Sequence, residues 1–262
     1  MKRLRRLRWR GRVEEYLKKK KSDKEKMLFI LIDPEKNIYD EKNFEKIMRR
    51  LAEEGVDAFL IGGSLGVSSE DLDKTLLLLE DIDVPKILFP GSVAGLSKYA
   101  DAVLFISLLN SDNPYYIIGA QVEGGIIIKK LGLEALPTAY IIIGEGGAAG
   151  FMGKARPIHW RHTGITVAYA VAAELMGMRY IYLEAGSGAE RSVPKEMISE
   201  VRKNTNLFII TGGGIRDEYT ACEALEAGSD AIVIGTLFEK DIEKTLKIIK
   251  IVKKDRCETK KL

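Results

Sequence analysis

Three observations in the sequence predict the α/β class and, within it, a single (β/α)8 TIM barrel that carries a basic N-terminal extension. Eight short apolar runs alternate with segments of helical periodicity, an order that is typical of a parallel sheet. Glycine follows nearly every apolar run, which favours a closed barrel over an open sheet. The 262 residues are close to the roughly 250 of one such barrel. We therefore expect one barrel domain over residues 13–254 and a polar tail over residues 255–262.

The strands are predicted where apolar runs are bounded by turn residues. They are expected at Met27–Ile32, Val56–Ile61, Lys86–Phe89, Ala102–Ile106, Ala139–Ile143, Tyr180–Glu184, Leu207–Ile210 and Ser229–Ile234. Helical spacing of apolar residues predicts helices at Val13–Lys21, Glu41–Glu54, Glu70–Leu79, Ala94–Tyr99, Pro114–Leu131, Thr163–Met176, Pro194–Asn204, Asp217–Ala227 and Asp241–Val252. One segment, Gly144–His162, is predicted to be a long glycine-rich loop, and such a loop without secondary structure is uncommon unless it has a function.

The basic charge of the chain is concentrated at its start. Seven of the first twelve residues are basic and none is acidic, whereas the other residues hold 34 basic and 38 acidic side chains, a balance of −4. We expect residues 1–12 to form a solvated, disordered extension. The alternative is a peripheral contact with an anionic membrane surface. No nucleic-acid partner is expected.

The sequence also bears on the compartment. Cys222 lies in a predicted helix and Cys257 in the polar tail, so we expect two reduced thiols, as in most cytoplasmic proteins. No run is long and apolar enough to span a membrane. The basic start is not followed by the apolar segment of a secretory signal. A cytoplasmic location is therefore expected.

Glycine-rich loops after two consecutive predicted strands indicate a phosphate site. Thr211–Arg216 leads through Gly213 and Gly214 into a helix, so that bare backbone N–H groups lie at a helix N-terminus and favour an anion. The next strand ends in Gly235 and Thr236, and paired loops of this kind form the phosphate site after strands 7 and 8 of a TIM barrel. The alternative is a tight turn between strand and helix that binds no ligand.

The preceding strand, Tyr180–Glu184, is also followed by glycines, at Gly186 and Gly188, and supplies candidate catalytic groups. Tyr182 and Glu184 point to the same side by strand alternation. A carboxylate there can take a proton from a substrate hydroxyl. The alternative is an ion pair of Glu184 with a cation of a loop.

Asp33 and Ser64 follow the first and second predicted strands and are expected to be neighbours at the barrel mouth. A carboxylate and a hydroxyl, together with water, suit Mg²⁺, which favours diphosphate ligands. The alternative for Asp33 is a capped turn before Pro34. His159 and His162 lie three residues apart near the end of the long loop, but no third ligand accompanies them. We expect both histidines to be structural or to cap the loop.

Six stretches closely resemble those of geranylgeranylglyceryl phosphate synthases, and the resemblance covers nearly the whole chain from Val13 to Val252. They are residues 31–36 (LIDPEK), 61–64 (IGGS), 88–92 (LFPGS), 107–111 (SLLNS), 182–189 (YLEAGSGA) and 211–215 (TGGGI). The stretch at 182–189 is the most specific. The bacterial heptaprenylglyceryl phosphate synthases are related but less similar.

The resemblance implies a Mg²⁺-dependent TIM-barrel prenyltransferase. Such an enzyme joins sn-glycerol 1-phosphate to the geranylgeranyl group of geranylgeranyl diphosphate, releases diphosphate and forms the first ether bond of archaeal membrane phospholipids. The resemblance implies that Asp33 and Ser64 hold Mg²⁺ and that the chain forms a homo-oligomer, a dimer or a hexamer. The implied glycerol-phosphate site comprises Tyr182, Leu183, Glu184, Ala185, Gly186, Ser187, Gly188, Gly213, Gly214, Gly235 and Thr236.

Two residues of this site are predicted to be catalytic. Glu184 can accept the proton of the attacking hydroxyl, and Tyr182 can hydrogen-bond to glycerol or face the allylic cation. An apolar groove for the prenyl chain is expected along Val93–Leu109, with Tyr99 and Phe105.

Two rival functions remain open from the sequence. Another phosphate-sugar barrel enzyme would need several histidines and acids at different strand ends, or a strand-end lysine, for which Lys36 is the only near candidate. A non-catalytic protein that binds phosphate or a lipid surface is compatible with the basic start. It would not need the acidic and hydroxyl groups at the strand ends.

Overall fold

A closed eight-stranded parallel barrel forms the centre of the molecule. The computed structural model describes residues 9–34, 40–63, 67–254 and 257. Strands β1 to β8 lie at Met27–Ile32, Ala58–Ile61, Lys86–Leu88, Ala102–Leu108, Glu134–Ile142, Tyr180–Glu184, Phe208–Gly212 and Ala231–Ile234. Each strand pairs in parallel with the next along the chain, and β1 pairs with β8 to close the barrel. The predicted TIM barrel is confirmed.

Helices connect the strands on the outside of the barrel. In the part of the chain that the structure describes, α1 to α10 lie at Val13–Ser22, Glu41–Glu53, Ser69–Leu78, Ala120–Leu131, Gly147–Met152, Thr163–Leu175, Lys195–Asn204, Glu218–Glu226, Thr236–Lys240 and Ile242–Lys253. A π-helical turn, Tyr115–Gly119, leads into α4, and a 3₁₀ turn, Val93–Gly95, replaces the short helix predicted after β3. Asp40 and Asp217 cap α2 and α8 by accepting a backbone N–H of the first turn.

Side chains alternate between two apolar layers because successive side chains of a strand point to opposite faces. Phe29 and Tyr180 belong to the interior layer, which fills the barrel. Their sequence neighbours Ile30 and Ile181 belong to the outer layer, between the strands and the helices. The barrel is therefore a packed core, and space for ligands is left at its ends.

Helix α1 closes the N-terminal end of the barrel. The backbone N–H groups of Val13 and Glu14 donate to the carboxylate of Glu134 at 2.8 and 3.0 Å. A carboxylate is favoured there because the first N–H groups of a helix lack partners and carry partial positive charge. Trp9, from the end of the predicted basic extension, lies nearby and donates its indole N–H to Asp83 at 3.0 Å.

The structure describes only part of the predicted N-terminal extension and of the predicted C-terminal tail. Residues 1–8 of the extension and residues 255, 256 and 258–262 of the tail lie outside the described residues, as do Lys36 and Ser64. None of the described helices is both long and apolar enough to cross a bilayer.

Strand β5 begins earlier than predicted. It starts at Glu134 rather than at Ala139 and contains Pro137, which lies opposite Phe105 of β4. Glu134 and Pro137 interrupt the apolar pattern, so periodicity alone does not extend the strand over them. The carboxylate of Glu134 is nevertheless satisfied in place by α1.

The segment 144–162, predicted to be a loop, holds helix α5 and two bridges. Ser111 pairs with Ala155 and Ile143 pairs with Ile158. The glycines that open α5 hide it from a search for helical periodicity, since glycine is a poor helix former. Helix α9 was missed for a different reason, because five residues are too few to show a period.

The prediction of reduced thiols is wrong. Cys222 in α8 and Cys257 after α10 form a disulfide with 5.2 Å between their Cα atoms. The two cysteines are 35 residues apart in sequence, and only the fold brings them together. Because the thiols are paired, they no longer argue for a reducing compartment.

Candidate active site

The C-terminal ends of β6, β7 and β8 bring together most of the predicted site residues. The hydroxyls of Ser187, after β6, and Thr236, at the start of α9, hydrogen-bond at 2.9 Å. Gly213, after β7, packs directly on the β6 end, because a Cβ built there would lie 2.6 Å from both Gly186 N and Glu184 Oε1. Three loops therefore form one surface around Glu184.

The carboxylate of Glu184 lies at the centre of this surface and is 6% exposed. The backbone N–H of Gly186 donates to Oε1 at 2.6 Å, and the Tyr140 hydroxyl donates to Oε2 at 3.3 Å. Burial raises the pKa of Glu184 above its ordinary value, and hydrogen bonds from Gly186, Tyr140 and Tyr182 offset only part of that rise. Among the described residues no cation pairs with it, so they do not support the alternative of an ion pair with a loop cation.

An aromatic cluster supports Glu184 from inside the barrel. Tyr182, which is 1% exposed, stacks on Phe89 with ring centroids 5.3 Å apart and meets Tyr140 edge to face at 5.2 Å. Its hydroxyl also bonds to Glu184, which confirms that the two side chains share a side of the strand. Burial first, and then the charge of Glu184, raise the pKa of Tyr140 and Tyr182 well above the ordinary value. Both hydroxyls therefore remain protonated donors at neutral pH.

The sequence did not predict Phe89 and Tyr140, two members of this cluster, or Gly212, which packs against it. A Cβ on Gly212 would overlap the Tyr182 hydroxyl, so glycine is required for the tyrosine to lie where it does. Tyr140 could have been found, since it is the register partner of Tyr182 in the neighbouring strand. The signal for the other two residues lies only in the packing.

Two of the predicted site residues contribute differently from the rest. The side chains of Leu183 and Ala185 are buried in the outer layer, away from the barrel interior. Only their backbone can therefore take part in a site at the mouth. Gly235 precedes α9 as its N-cap, and a Cβ there would make only ordinary contacts with Leu31.

Gly213 and Gly214 need to be glycine for conformational reasons as well. Their φ angles are +80° and +70°, in a region that other residues rarely adopt. A Cβ on Gly214 would overlap the backbone of Arg191. This loop is therefore packed closely against the loop after β6.

Asp33 lies beside the loop after β2, as the strand order predicts. A Cβ built on Gly63 would lie 3.1 Å from Asp33 Oδ1. The prediction that Ser64 lies next to Asp33 falls on a residue outside the described part of the chain. Within the described residues no group of three or more His, Cys, Asp and Glu side chains is placed to hold a metal ion.

An apolar cavity of about 400 Å³ joins these features. Its lining includes Gly63, Glu184 and Ser187, which lie at or shortly after the ends of barrel strands, and the apolar side chains of Leu96, Phe105 and Ile128. The predicted groove along Val93–Leu109 supplies part of this wall, but Tyr99 packs in the outer layer and does not line the cavity. Sequence reasoning missed the opposite walls, which are formed by Tyr115, Tyr116, Gln121, Ala149 and Met152.

The two histidines lie at the start of α6. The Nδ1 atom of His159 accepts the backbone N–H of Arg161 at 3.3 Å, and the backbone carbonyl of His159 accepts the N–H of His162 at 2.9 Å. Their ring centroids are 5.7 Å apart. The side chain of His159 therefore caps the turn at the end of the loop, whereas His162 is the N-cap residue of α6 and its side chain accepts no N–H of that helix.

Comparison with known proteins places the chain in a family. The model of the PcrB family matches residues 20–253. A geranylgeranylglyceryl phosphate synthase of Metallosphaera sedula is 47% identical over 248 residues, which cover 95% of this chain and 98% of that protein. One of Saccharolobus solfataricus is 49% identical over 245 residues, or 93% of this chain and 95% of that protein.

Solved structures agree with the sequence relatives. The crystal structure of (S)-3-O-geranylgeranylglyceryl phosphate synthase from Thermoplasma acidophilum, in complex with its substrate sn-glycerol-1-phosphate, matches with a TM-score of 0.86 and 32% identity. The match covers 92% of this chain and 98% of that one. The chain therefore belongs to the PcrB family, and the resemblance to geranylgeranylglyceryl phosphate synthases that its motifs indicate is confirmed.

Proposed function

We infer that this protein transfers the geranylgeranyl group of geranylgeranyl diphosphate to the hydroxyl of sn-glycerol 1-phosphate, which forms the first ether bond of archaeal membrane phospholipids. One observation carries the inference: the buried carboxylate of Glu184 lies where the glycine loops meet an apolar cavity. A phosphate ester and a prenyl chain can bind there on either side of one base. Relatives named for this activity, at 47% and 49% identity, support the same reaction.

The glycine loops supply the site for glycerol phosphate. Backbone N–H groups near Gly214 and Gly235 are the donors for the phosphate, because bare amides at turns and helix starts favour anions. The hydroxyls of Ser187 and Thr236, already 2.9 Å apart, supply two more groups at the same place. The glycerol portion then extends toward Glu184, which shares the surface with Gly213.

Glu184 acts as the general base. The attacking hydroxyl oxygen forms a bond to the allylic carbon, the bond from that carbon to the diphosphate oxygen breaks with its electron pair, and the hydroxyl proton passes to Glu184. Burial raises the pKa of Glu184, which makes it a better proton acceptor than an ordinary carboxylate. The hydroxyls of Tyr140 and Tyr182 hold the carboxylate in place, and both tyrosines are buried.

The residues at the ends of β1 and β2 suit the Mg²⁺ that the family resemblance implies. Asp33 offers a carboxylate beside Gly63, and oxygen is the ligand that Mg²⁺ prefers. When bound there with the diphosphate, Mg²⁺ would neutralise charge on the leaving group. Asp33 would be the residue that holds the ion, beside Gly63 of the cavity lining.

The surface of α4 and of the π-helical turn that precedes it supports a homo-oligomer. Ile118, Val122 and Ile126 follow one another at intervals of four residues, and all three are exposed. Such a stripe is typical of a helix that packs against a partner. We propose that a second copy of the chain covers this stripe. We also propose that the protein is located in the cytoplasm and that any contact with a membrane is peripheral and made through its basic first residues. Light scattering of the purified protein measures the number of copies.

Product analysis tests the proposed reaction. Purified protein is incubated with labelled sn-glycerol 1-phosphate and with farnesyl, geranylgeranyl or heptaprenyl diphosphate, with and without Mg²⁺. We expect an acid-stable ether product that forms fastest from geranylgeranyl diphosphate. A preference for heptaprenyl diphosphate would reassign the chain length, and the absence of any ether product would reject the function.

A further inference from the structure

Asn110, directly after β4, is a buried residue that the proposed reaction does not use. It is 2% exposed, and its side-chain amide is fully satisfied. Its Nδ2 donates to the carbonyls of Ile142 and Arg156, both at 2.9 Å, and its Oδ1 accepts the N–H of Ile142 at 3.1 Å. The backbone N–H of Arg156 returns a bond to the Asn110 carbonyl at 2.7 Å. One side chain therefore joins the ends of β4 and β5 to the far side of the segment that contains α5.

Ser111 extends this connection to the end of α5. Its hydroxyl donates to the carbonyl of Gly153 at 2.6 Å. The next backbone N–H, of Asp112, donates to the carbonyl of Lys154 at 2.9 Å. Asn110 and Ser111 together form what we call the β4 clamp, which fixes the segment at residues 153–156.

Helix α5 borders both halves of the candidate active site. Ala149 and Met152 line the apolar cavity. At the other end of α5, Gly147 lies so close to Gly186 that a Cβ on Gly186 would be 2.9 Å from Gly147 N. One short helix therefore forms a wall of the cavity and packs against the loop after β6, which carries Ser187 of the proposed glycerol-phosphate site.

Helix α5 cannot hold this position by its own stability. It has six residues, far fewer than the roughly 12 to 15 that an isolated helix needs. Gly144, Gly146 and Gly147 all have positive φ, so the chain that enters α5 is built from the most flexible residue type. Packing of Gly147 on Gly186 does not set φ for these glycines, so the hydrogen bonds at the other end of α5, where the β4 clamp lies, are needed to place it.

We propose that Asn110, assisted by Ser111, is a positioning residue that places α5 and through it both substrates. The identity of the two substrates rests on the proposed function. Asn110 itself reaches neither substrate; it acts by keeping Ala149 and Met152 on the cavity and Gly147 on Gly186. Loss of the clamp changes the binding of both substrates together, although they occupy different halves of the site.

Asn110→Asp tests this proposal with little change of shape. The new carboxylate faces the carbonyls of Ile142 and Arg156 and can donate to neither. Phe151, on the outer side of α5, is 84% exposed, and chymotrypsin cleaves after phenylalanine. Because a protease cleaves a locally unfolded segment, the rate of cleavage after Phe151 measures the fraction of molecules in which α5 is detached. We expect cleavage after Phe151 and the KM of each substrate to rise by about tenfold or more, the effect of leaving one buried polar group without its partner.

Asp57→Asn is the matched control. Asp57 is equally buried, precedes β2 at the opposite end of the barrel and accepts the N–H of Leu28 at 2.8 Å. This variant should lower the melting temperature and leave cleavage after Phe151 and both KM values unchanged. If Asn110→Asp does not fold, Ser111→Ala removes one hydrogen bond of the clamp. It should raise cleavage after Phe151 and both KM values in the same way, but by a smaller factor.

Each outcome decides the proposal. Wild-type cleavage or wild-type KM values in a folded clamp variant would overturn it, as would equal effects in Asp57→Asn. If the wild-type protein formed no ether product, the proposed function would fail, but cleavage after Phe151 would still show whether Asn110 holds α5.

Discussion

Gly213 leaves the space that the carboxylate of Glu184 occupies. A Cβ on Gly213 would lie 2.6 Å from Glu184 Oε1, and the φ of +80° already favours glycine at this position. The loop proposed to offer backbone donors to a phosphate is thus packed directly against the candidate base. If the phosphate binds to this loop as proposed, the contact fixes its distance from the base without a flexible side chain.

Glu184→Gln should abolish turnover while both substrates still bind. The amide keeps the shape and can accept the Gly186 N–H, but it cannot take a proton. A positioned base contributes about 10² to 10⁴ in rate, so kcat should fall by that factor with little change in the dissociation constants. In the wild type, turnover should rise with pH through a pKa above the ordinary carboxyl value, since burial raises the pKa of Glu184.

Glu190→Gln is the control for this experiment. Glu190 lies in the same loop and is exposed, so its loss should leave both the rate and the pH profile unchanged. Near-normal turnover by Glu184→Gln would assign the proton to another group, such as water or the diphosphate itself.

Glu184→Gln should also make the protein more stable near neutral pH. The pKa of Glu184 is higher in the folded than in the unfolded chain, so its contribution to stability is complete below the ordinary value of 4.5 and is lost as the pH rises through the folded value. Glutamine stays neutral at all these pH values. We expect Glu184→Gln to melt a few degrees above the wild type near pH 7, with the difference vanishing near pH 4. A lower melting temperature near pH 7 would show that the ionised carboxylate stabilises the fold.

The sequence predicts the barrel because its strands carry their own signal. Met27–Ile32 is apolar throughout and lies in the structure with the predicted bounds. Strand β5 is only partly predicted, because Glu134 and Pro137 are accommodated by α1 and by the register with β4 rather than by strand propensity. Helix α5 is not predicted at all, since the bonds from Asn110 that place it come from a residue more than 30 positions away.

The site residues divide in the same way into those that the sequence predicts and those that only the packing reveals. Glu184, Gly213 and Thr236 are found from the sequence because parallel strands bring their C-terminal ends to one mouth. Tyr140 and Gly212 are not, because their roles depend on how Tyr182 lies inside the barrel. Residues at strand ends can be predicted from topology, whereas residues that support them appear only with the packing.

Thr236→Val should weaken binding of glycerol phosphate selectively. It removes a hydroxyl that lies 2.9 Å from that of Ser187 and keeps the size of the side chain. A hydrogen bond to a charged group is worth about 1.5 to 3 kcal/mol, so we expect the KM for glycerol phosphate to rise by about tenfold or more with an unchanged KM for the prenyl diphosphate. Substitution of Gly214 is a poorer test than its place in the loop suggests, because a side chain there would overlap the backbone of Arg191 and disturb the fold.

Thr205→Val is the control for the hydroxyl. Thr205 is buried at the end of α7, where its hydroxyl donates to the Val201 carbonyl. It lies before β7, at the end of the barrel away from the mouth. An equal rise in KM in both variants would point to a general loss of structure.

Asp33→Asn should make activity require more Mg²⁺. The amide is neutral and a weaker ligand than the carboxylate, whereas the glycine loops that bind glycerol phosphate are untouched. We expect the Mg²⁺ concentration for half-maximal rate to rise by about tenfold or more, with unchanged affinity for glycerol phosphate by calorimetry. Normal turnover at low Mg²⁺ would show that Asp33 is not a ligand. Asp83→Asn, at the N-terminal end, should leave the Mg²⁺ dependence unchanged.

Reduction of the Cys222–Cys257 disulfide should lower stability without changing turnover. The bond ties the chain after α10 to α8 and closes a loop of 35 residues, for which the loss of unfolded-chain entropy corresponds to about 4 kcal/mol. In a protein of this size that amounts to a fall of about 10 °C in melting temperature, which calorimetry with and without reductant measures. Cys257→Ser should melt like the reduced wild type and be insensitive to reductant. Neither change touches the loops around Glu184, so kcat well below the melting temperature should be the same in all samples. Two titratable thiols in the unreduced, unfolded wild type, together with a melting temperature that ignores reductant, would show that the bond does not form.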